Sequence, residues 1–439
     1  MSVSTEAQSL LLAAADHNIL LLRSLLKSQT PNVQDPATLR TPLHLAIAAF
    51  ETNPSLLTSS QEPTANGNHQ NGNGVPPTST DELSLPPLTR ATKTLELLLQ
   101  NGAIWNSLDV NNETPGCIAY RLGLTSLYEV MVDAGVRAEL LFGRLDGYMA
   151  LDDDDEDEDD DEELEEGDVI DISVEGQKEE DKAQGDEGEE APELVSTEQT
   201  ALDKATEEAI PVTSDVYLSS TLSIDDEKIL DEDKNGVMMS WESNIMSLTV
   251  QNLLTPPTPA GPKVLNIGYG MGIIDSYFQS STPAPSSHHI IEAHPQILEK
   301  LSTSPISKQP GVIIHAGRWQ EILPKLVNDG DVTFDAIYFD TFAEDYSQLK
   351  LFFTEYVIAL LNPEGKFGFF NGLGADRQIA YDVYKKVVDI DLLEAGLETE
   401  WVEVEIDSKK MEGDGEWKGV RRKYWDLEKY WLPVSRFIG

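Results

Sequence analysis

Apolar residues follow two different periodicities along the chain. Beyond about residue 210, short apolar runs rich in β-branched and aromatic residues alternate with longer segments of helical spacing. The candidate strands lie at 263–268, 289–292, 312–315, 334–340, 366–370, 401–406 and 423–427. Asn362-Pro-Glu-Gly365 predicts a turn just before the fifth strand. This alternation predicts a doubly wound α/β fold, with a mostly parallel seven-stranded sheet, over residues 210–439.

The first part of the chain has only the helical periodicity. In residues 8–28, leucine and alanine recur at helical spacing, and Asp16-His17-Asn18 predicts a turn between two short helices. The stretch Thr41-Pro-Leu-His-Leu-Ala46 matches the T-P-L-H-x-A pattern of ankyrin repeats. In that pattern Thr and Pro begin a helix and the His side chain can bond the adjoining turn, so an ankyrin-like repeat is predicted here.

Two later segments extend this pattern. Leu95 to Ala103 resembles the second helix of a repeat with its closing glycine turn, and Thr114-Pro115 opens a further helix pair expected to end near Ala134-Gly135. We predict two or three ankyrin-like repeats in an all-α domain over residues 1–140. Gly116-Cys117 stands where Leu-His is expected, which keeps a generic helical domain with a chance motif as the alternative.

Two segments have too few apolar residues to join a core. Residues 53–89 are rich in Asn, Gly, Pro, Ser and Thr, and they are predicted to be a disordered insertion within a repeat. Residues 152–163 are twelve consecutive acids, and residues 141–209 are predicted to be an acidic disordered linker. The acidic run is interpreted as a solubilising spacer, with an electrostatic attraction for a basic partner as the alternative.

Composition narrows the range of partners. The chain has 439 residues, of which 40% are hydrophobic, so it is long enough for two domains with sizeable cores. The formal net charge is −47, and residues 152–209 carry −26 of it. The acidity of the remainder argues against a nucleic-acid-binding surface, which needs clustered Lys and Arg, and it is compatible with a basic protein substrate.

The number of cysteines and the lack of long apolar stretches indicate the cellular compartment in which the protein is expected. Cys117 is the single cysteine, which suits a reducing compartment. The N-terminus has no secretion signal, because Asp16 and His17 interrupt its apolar run, and no stretch has the length of a membrane span. We expect a monomeric protein of the cytoplasm and nucleus that binds neither membrane nor metal.

The stretch Lys263-Val-Leu-Asn-Ile-Gly-Tyr-Gly-Met-Gly-Ile-Ile-Asp275 predicts a buried strand, a glycine-rich turn and a helix in direct succession. Gly268, Gly270 and Gly272 lack side chains where the backbone must turn tightly and approach a ligand closely. The free N–H groups of the following helix suit a negatively charged or carboxylate-bearing cofactor. The turn alone is also compatible with an ordinary strand-to-helix connection.

A second strand makes the glycine turn more informative. His289-Ile-Ile-Glu292 ends in an acid twenty residues after Gly272, where nucleotide-binding α/β folds place a carboxylate against ribose hydroxyls. A dinucleotide fingerprint requires a glycine where this chain has Ile273, which disfavours NAD. The pattern G-x-G-x-G followed by an acid at the end of the second strand instead favours an S-adenosylmethionine methyltransferase.

Two further acids are suited to chemistry on a guanidinium group. Asp340 ends the strand that begins at Phe334, and Glu242 lies ahead of the first strand, in Met238-Met-Ser-Trp-Glu-Ser-Asn-Ile-Met246. Paired carboxylates can grip the N–H groups of a guanidinium, orient one nitrogen and help remove its proton. The alternatives without a catalytic role are a solvated helix residue for Glu242 and a strand-end cap for Asp340.

These motifs together resemble a known family. Met-Met-x-Trp-Glu-x-x-x-Met, Gly-Tyr-Gly-Met-Gly, Ile-Ile-Glu-Ala-His, Gly-Arg-Trp-Gln and Phe-Asp-Ala-Ile-Tyr-Phe-Asp-Thr are similar to motifs of guanidinoacetate N-methyltransferase. They resemble more closely the fungal-type protein-arginine δ-nitrogen methyltransferases. That resemblance implies a class I S-adenosylmethionine methyltransferase fold over residues 210–439, preceded by ankyrin-like repeats.

The resemblance also implies residue roles. It places the guanidine-binding acids on Glu242 and Asp340, ribose binding on Glu292, and Trp319-Gln320 beside the adenine. The implied contacts to S-adenosylmethionine come from Tyr217, Met246, Tyr269, Gly270, Met271, Gly272, Ile273, Ile274, Glu292, Ala293, His294, Trp319, Gln320 and Asp340. Ser243-Asn244 departs from the Thr-Pro of the small-molecule enzyme, which leaves the size of the substrate open.

The resulting hypothesis is an enzyme that monomethylates the δ-nitrogen of arginine in a protein. The resemblance implies a large-subunit ribosomal protein as the substrate. Methylation of a small guanidino compound is the second hypothesis, and an ankyrin adaptor without catalysis is the third. The intact glycine turn, Glu292, Glu242 and Asp340 count against the adaptor.

Overall fold

A computed structural model of the chain describes residues 4–53, 85–149, 213–328, 330, 332–407, 411 and 415–439. Residues 54–84 of the predicted insertion and residues 150–209 of the predicted linker lie outside the described residues. The described residues form a helical region followed by an α/β region, in the order that the two periodicities predict.

The N-terminal region is built from short paired helices. They are α1 (Thr5–Ala15), α2 (Ile19–Leu25), α3 (Pro42–Thr52), α4 (Pro87–Gln100), α5 (Pro115–Arg121) and α6 (Thr125–Met149). Thr41 caps α3, and its backbone N–H donates to Nδ1 of His44 at 3.1 Å. The other ring nitrogen, Nε2, lies 3.0 Å from the carbonyl oxygen of Glu113. The side chain of the T-P-L-H histidine therefore joins one helix pair to the turn of the next, as the motif predicts.

Three predicted boundaries are wrong. Helix α4 begins at Pro87, so the last residues of the predicted insertion 53–89 are helical. Helix α6 continues through Ala134-Gly135 to Met149, so Gly135 is not a closing turn and the linker does not begin at residue 141. The physical reason is tertiary packing, because Leu88 of α4 packs against the apolar cluster of the N-terminal helices and Gly135 of α6 lies against a second helix from the far end of the chain.

Ten strands occur among the described residues of the α/β region. They are β1 (Ser223–Ile224), β2 (Lys228–Leu230), β3 (Gly236–Met239), β4 (Lys263–Ile267), β5 (Ser287–Glu292), β6 (Val312–Ala316), β7 (Phe334–Phe339), β8 (Leu361–Phe369), β9 (Leu397–Glu405) and β10 (Lys429–Phe437). The prediction of a strand at 423–427 is wrong, because Trp425 is buried among other aromatic rings and the last strand begins at Lys429.

Helices connect these strands. They are α7 (Ser214–Ser219), α8 (Ser243–Leu253), α9 (Ile273–Ser280), α10 (Pro295–Thr303), α11 (Trp319–Asn328), α12 (Tyr346–Leu351), α13 (Ile358–Leu360) and α14 (Gln378–Glu394), with a π-helical stretch Phe352–Val357 between α12 and α13. Among the described residues, no helix combines the length and the apolar character that crossing a membrane requires.

Seven strands form one sheet, in the order β6-β5-β4-β7-β8-β10-β9. The pairs from β6 to β8 are parallel, and β10 runs antiparallel to both of its neighbours. The mostly parallel seven-stranded sheet is therefore confirmed. The turn predicted at residues 362–365 lies within β8, where the pairing register with β7 shifts between Phe334 and Ala336. The order of the strands reverses at β4, which is where open α/β sheets bind their ligands.

A second sheet was not predicted from the sequence. Strands β1, β2 and β3 form a small antiparallel sheet, and β3 runs directly into a 3₁₀ turn at Ser240–Glu242. The connection between β9 and β10 lies against this sheet, since the N–H of Gly236 donates to the carbonyl oxygen of Arg422 at 3.1 Å. These segments form a wall in front of the main sheet.

Helix α14 joins the two regions of the chain. Ile379, Val383 and Val387 are buried in the same apolar cluster as Trp105 and the N-terminal helices. A Cβ atom at Gly116 would come within 2.7 Å of the Ile379 side chain. Gly116 thus replaces the leucine of the repeat pattern at a point where α5 approaches α14 too closely for a side chain.

We predict that Gly135→Val weakens this junction. A Cβ atom at residue 135 would lie 2.6 Å from Cγ2 of Val383 and 3.2 Å from Trp105, so the helices must separate. We expect a loss of about 1–3 kcal/mol in the free energy of unfolding. Gly143→Val in the same helix is the control, because nothing lies within 4 Å of a Cβ atom there. Chemical denaturation that finds the two variants equally stable would contradict the prediction.

Candidate active site

The carboxyl ends of the central strands meet around one cavity. The N–H of Gly268 donates to the carbonyl oxygen of Ile291 at 2.9 Å, and the N–H of Asp340 donates to that of Ile267 at 2.9 Å. Strands β4, β5 and β7 are thereby joined beyond their last residues. The cavity, of about 240 Å³, opens at this edge between the main sheet and the wall that carries Glu242.

The glycine turn depends on backbone conformations that other residues rarely adopt. Gly268, Gly270 and Gly272 have φ values of +88°, +52° and +71°. A Cβ atom at Gly268 would lie only 1.9 Å from the backbone oxygen of Asp340. The absence of a side chain at residue 268 is therefore what allows the ends of β4 and β7 to come together.

Glu292 is held by backbone donors at the end of β5. Its Oε2 accepts from the N–H of Tyr269 at 2.9 Å and, more weakly, from that of Gly270 at 3.4 Å. Its Oε1 accepts from the N–H groups of Ala293 and His294 at 2.8 and 2.7 Å. Burial raises the pKa of Glu292, and these four N–H groups oppose that shift. The carboxylate is thus fixed in the cavity wall beside the glycine turn.

Another part of the cavity wall is organised by Glu344, which was not predicted from the sequence. Its carboxylate accepts from Nε1 of Trp319 at 3.0 Å, from Nε2 of Gln320 at 3.0 Å and from the hydroxyl of Thr341 at 2.7 Å. One acid therefore orients the two residues at the start of α11. The signal available in the sequence was only that Glu344 follows the end of β7.

Glu242 and Asp340, the two acids predicted to bind a guanidinium group, both line the cavity. Burial raises the pKa of Glu242 to about 7. Burial, and then the charge of Glu242, raise the pKa of Asp340 well above its ordinary value. Two carboxyl groups that share a dry site disfavour each other's ionisation, and a bound cation reverses that effect. The pair is therefore suited to binding a positively charged group.

Aromatic rings complete the wall around Glu242. Phe370 from the end of β8 and Tyr424 from the β9–β10 connection both line the cavity. The Tyr424 hydroxyl donates to Oε1 of Glu242. No local sequence signal pointed to Tyr424, because it lies 182 residues from its partner.

The structure brings most, but not all, of the predicted site residues to the cavity. Those that line it are Tyr217, Glu242, Tyr269, Gly270, Ile274, Glu292, Ala293, Trp319, Gln320 and Asp340. Those outside its lining are Met246, Met271, Gly272, Ile273 and His294. Met246 is fully buried in the core, and His294 caps α10 by accepting from the N–H of Gln296. Their predicted contacts to the cofactor stay predictions.

The cavity fits S-adenosylmethionine. The glycine turn leaves room for a ligand against the backbone, and Glu292 is a fixed acceptor suited to ribose hydroxyls. Oε1 of Gln320 is buried without a hydrogen-bond partner among the described residues, so a donor on a ligand would satisfy it. Gln320, Glu292 and the turn residues that line the cavity, Gly268, Tyr269 and Gly270, are the ones that would hold the cofactor.

Fold and site together define a class I S-adenosylmethionine-dependent methyltransferase. A family model described as guanidinoacetate N-methyltransferase matches residues 224–421. The chain is similar over its full length to proteins named protein arginine N-methyltransferase 2, with 49% identity to that of Aspergillus fumigatus over 97% of the relative. It is 48% identical to those of Emericella nidulans and Aspergillus oryzae, each over 98% of the relative. The chain therefore belongs to the protein arginine N-methyltransferase 2 family.

Because Glu242 is buried, we predict that the difference in stability between Glu242→Gln and the parent depends on pH. The pKa of this carboxyl is 4.5 when unperturbed and about 7 in the folded protein, so the folded state binds more protons between these values. Its contribution to stability therefore falls as pH rises from about 4.5 to 7. Glu242→Gln keeps an acceptor for Tyr424 without the charge. We expect this variant to gain on the order of 2 kcal/mol over the parent at pH 8 relative to pH 5.

Urea denaturation of both proteins at pH 5 and pH 8 measures this difference. Asp340 is present in both proteins, but the charge of Glu242 raises its pKa, so Glu242→Gln also lowers the pKa of Asp340 and changes stability in the same direction. Glu232→Gln is the control, because Glu232 is exposed on the loop between β2 and β3. A stability difference between the parent and Glu242→Gln that is the same at both pH values would show that the Glu242 carboxyl is not buried as a proton-binding group.

Proposed function

We propose that this enzyme monomethylates the δ-nitrogen of arginine in a basic protein substrate. The observation that carries the proposal is the pair of buried Glu242 and partly buried Asp340, which faces the same cavity as the glycine turn and Glu292. The relatives' name, protein arginine N-methyltransferase 2, supports arginine as the acceptor. The choice of the δ-nitrogen, and of a large-subunit ribosomal protein as the substrate, rests on the resemblance of the sequence motifs.

The two acids perform three tasks in this reaction. The bound cofactor supplies an electrophilic methyl group on a sulfonium. Glu242 and Asp340 grip the guanidinium through charge-assisted hydrogen bonds and orient one nitrogen toward the cofactor. A protonated guanidinium has no free lone pair, so one carboxylate must also accept its proton during transfer. Asp340 suits this task because burial and the charge of Glu242 raise its pKa.

Aromatic side chains make much of the rest of the cavity wall apolar. Tyr217, Phe370 and Phe342 supply apolar walls, and Tyr217 packs edge-on against Phe342 with ring centroids 5.0 Å apart. In such surroundings the attraction between a guanidinium and the two carboxylates is much stronger than in water. Only the end of a long, slender side chain needs to enter the cavity, which suits arginine on a protein surface.

We further propose that the N-terminal helix pairs are ankyrin-like repeats that help to recruit the substrate. The T-P-L-H motif and the bond from His44 to the backbone of Glu113 support this assignment. An overall charge of −47 favours a basic partner. The packing of α14 against the N-terminal helices means that a substrate held by the repeats is held at a fixed orientation to the cavity.

Mass spectrometry of modified proteins tests the proposal. The full chain is incubated with isotope-labelled S-adenosylmethionine and purified ribosomal proteins, and fragmentation then assigns the methylated residue and nitrogen. We expect one added methyl group on the δ-nitrogen of arginine, and at least about 100-fold slower methylation when Glu242→Gln replaces the parent. Methylation of the terminal nitrogens, or of lysine, would overturn the proposed specificity.

Guanidinoacetate is the second candidate substrate, because a guanidinoacetate N-methyltransferase model matches residues 224–421. The same assay distinguishes it when guanidinoacetate replaces the ribosomal proteins. We expect no more than trace turnover, since the relatives that match the full length are named as enzymes acting on protein arginine. Turnover of guanidinoacetate that exceeds turnover of protein arginine would favour the small-molecule function.

A further inference from the structure

Tyr424 belongs to no motif that the sequence offered, yet it contacts the central acid of the cavity. Its hydroxyl donates to Oε1 of Glu242, and the N–H of Met239 donates to the same oxygen at 3.0 Å. Both bonds hold Oε1. The second carboxylate oxygen of Glu242 is therefore the one left for a ligand, and Glu242 and Tyr424 both line the cavity.

The ring of Tyr424 is packed on several sides, which fixes where the hydroxyl can reach. It stacks on Trp241 with ring centroids 6.1 Å apart and meets Trp417 edge-on at 5.1 Å. A Cβ atom at Gly236 would lie 3.1 Å from the ring, so strand β3 is in close contact with it. The ring is thus held between the small sheet and the β9–β10 connection.

We propose that Tyr424 is a positioning residue for methyl transfer, which holds one oxygen of Glu242 so that the other faces the guanidinium of the substrate. This inference rests on the proposed function. Without the hydroxyl, the Glu242 carboxylate keeps only the N–H of Met239 and can rotate away from the orientation that grips the substrate. Tyr424 itself transfers no proton, since burial and the charge of Glu242 raise its pKa and keep the hydroxyl protonated.

Tyr424→Phe removes the hydroxyl and keeps the packed ring. In single-turnover methylation of ribosomal proteins with saturating cofactor, we expect the rate to fall by about 10-fold to 100-fold. Cofactor affinity should stay within about twofold of that of the parent, because the hydroxyl is bonded to Glu242 and not to the glycine turn. Tyr346→Phe is the matched control: Tyr346 donates to the carboxylate of Asp391 at 2.5 Å, and neither residue lines the cavity. A parental rate in Tyr424→Phe would overturn the inference.

A double-mutant cycle separates positioning from a merely structural role. If Tyr424 acts through Glu242, adding Tyr424→Phe to Glu242→Gln should lower the residual rate by less than about twofold. The same fold-loss in both backgrounds would mean that Tyr424 acts independently of Glu242, and the proposal would fail.

A measurement that needs no substrate covers the case in which the proposed function is wrong. The hydroxyl stabilises the ionised Glu242 carboxylate, so its loss should raise the pKa of Glu242. The stability difference between each protein and its Glu242→Gln derivative isolates most of this contribution. The pH at which that difference stops changing should move upward in Tyr424→Phe and stay unchanged in Tyr346→Phe. The other titratable groups near Glu242, which are Asp340, Glu416, Tyr338 and Tyr430, are retained in both variants.

These measurements distinguish the two possible failures. An upward shift in a protein that methylates no arginine would leave the Tyr424–Glu242 pairing intact and reject the proposed function. An active parent whose stability profile is unchanged by Tyr424→Phe would reject the positioning role and leave the proposed function intact.

Discussion

Glu242→Gln should reduce methyl transfer by roughly 10² to 10⁴ while leaving cofactor affinity almost unchanged. The variant keeps the size of the side chain and an acceptor for Met239 and Tyr424, and it loses only the negative charge. Without that charge the guanidinium loses one of its two anionic partners in a site where water cannot replace it. Single-turnover methylation at saturating cofactor isolates this step from cofactor binding.

Asp340→Asn is the companion variant, and we expect it to reduce methyl transfer in the same range. Asp340 lies closer to the cofactor side of the cavity, since its backbone bonds to the end of β4 beside the glycine turn. Its variant is therefore also expected to bind S-adenosylmethionine somewhat more weakly. A Glu242→Gln enzyme that methylates at the parental rate would remove Glu242 from the mechanism.

The expected gain of stability in Glu242→Gln makes the loss of activity easier to interpret. A variant that is more stable at pH 8 and yet inactive has lost chemistry, since its fold is intact. The pair costs the folded protein stability, because desolvation raises the pKa of both carboxyls, the charge of Glu242 raises that of Asp340 further, and neither has a cation beside it among the described residues. Binding of a guanidinium would restore the missing countercharge.

The sequence predicted those parts of the site that depend on short-range patterns. The glycine turn and Glu292 lie on consecutive strands, and a fixed spacing relates them in any parallel sheet of this kind. Asp340 was predicted for the same reason, since it directly follows β7. Glu242 required a chemical argument about guanidinium groups as well, because nothing in its local pattern shows that the helix turn it occupies is buried.

The parts that the sequence did not predict depend on distant contacts. Tyr424 and Trp425 look like part of an apolar strand, but their rings pack against Trp241 from the 3₁₀ turn that follows β3. Gly135 looks like the end of a helix, but its smallness serves the packing of Val383 from α14. In each case the local sequence pattern is compatible with two structures. Which structure forms depends on a contact with a residue far away in the sequence.

Gly268→Ala should abolish measurable binding of S-adenosylmethionine, with an increase in Kd of at least about 100-fold. The new Cβ atom would lie 1.9 Å from the backbone oxygen of Asp340, and a backbone atom cannot move aside as a flexible side chain can. The ends of β4 and β7 must therefore separate, which displaces both the glycine turn and Asp340. Calorimetric titration of the folded variant with the cofactor measures the loss directly.

Gly396→Ala is the control that separates this clash from backbone strain. Gly396 has a φ of +87°, almost the same as the +88° of Gly268, but nothing lies within 4 Å of a Cβ atom there. Both variants bear the cost of a left-handed alanine, about 1–2 kcal/mol, and only Gly268→Ala forces the strand ends apart. We expect Gly396→Ala to bind the cofactor as the parent does. Equal binding by both variants would show that close contact between β4 and Asp340 is not what forms the cofactor site.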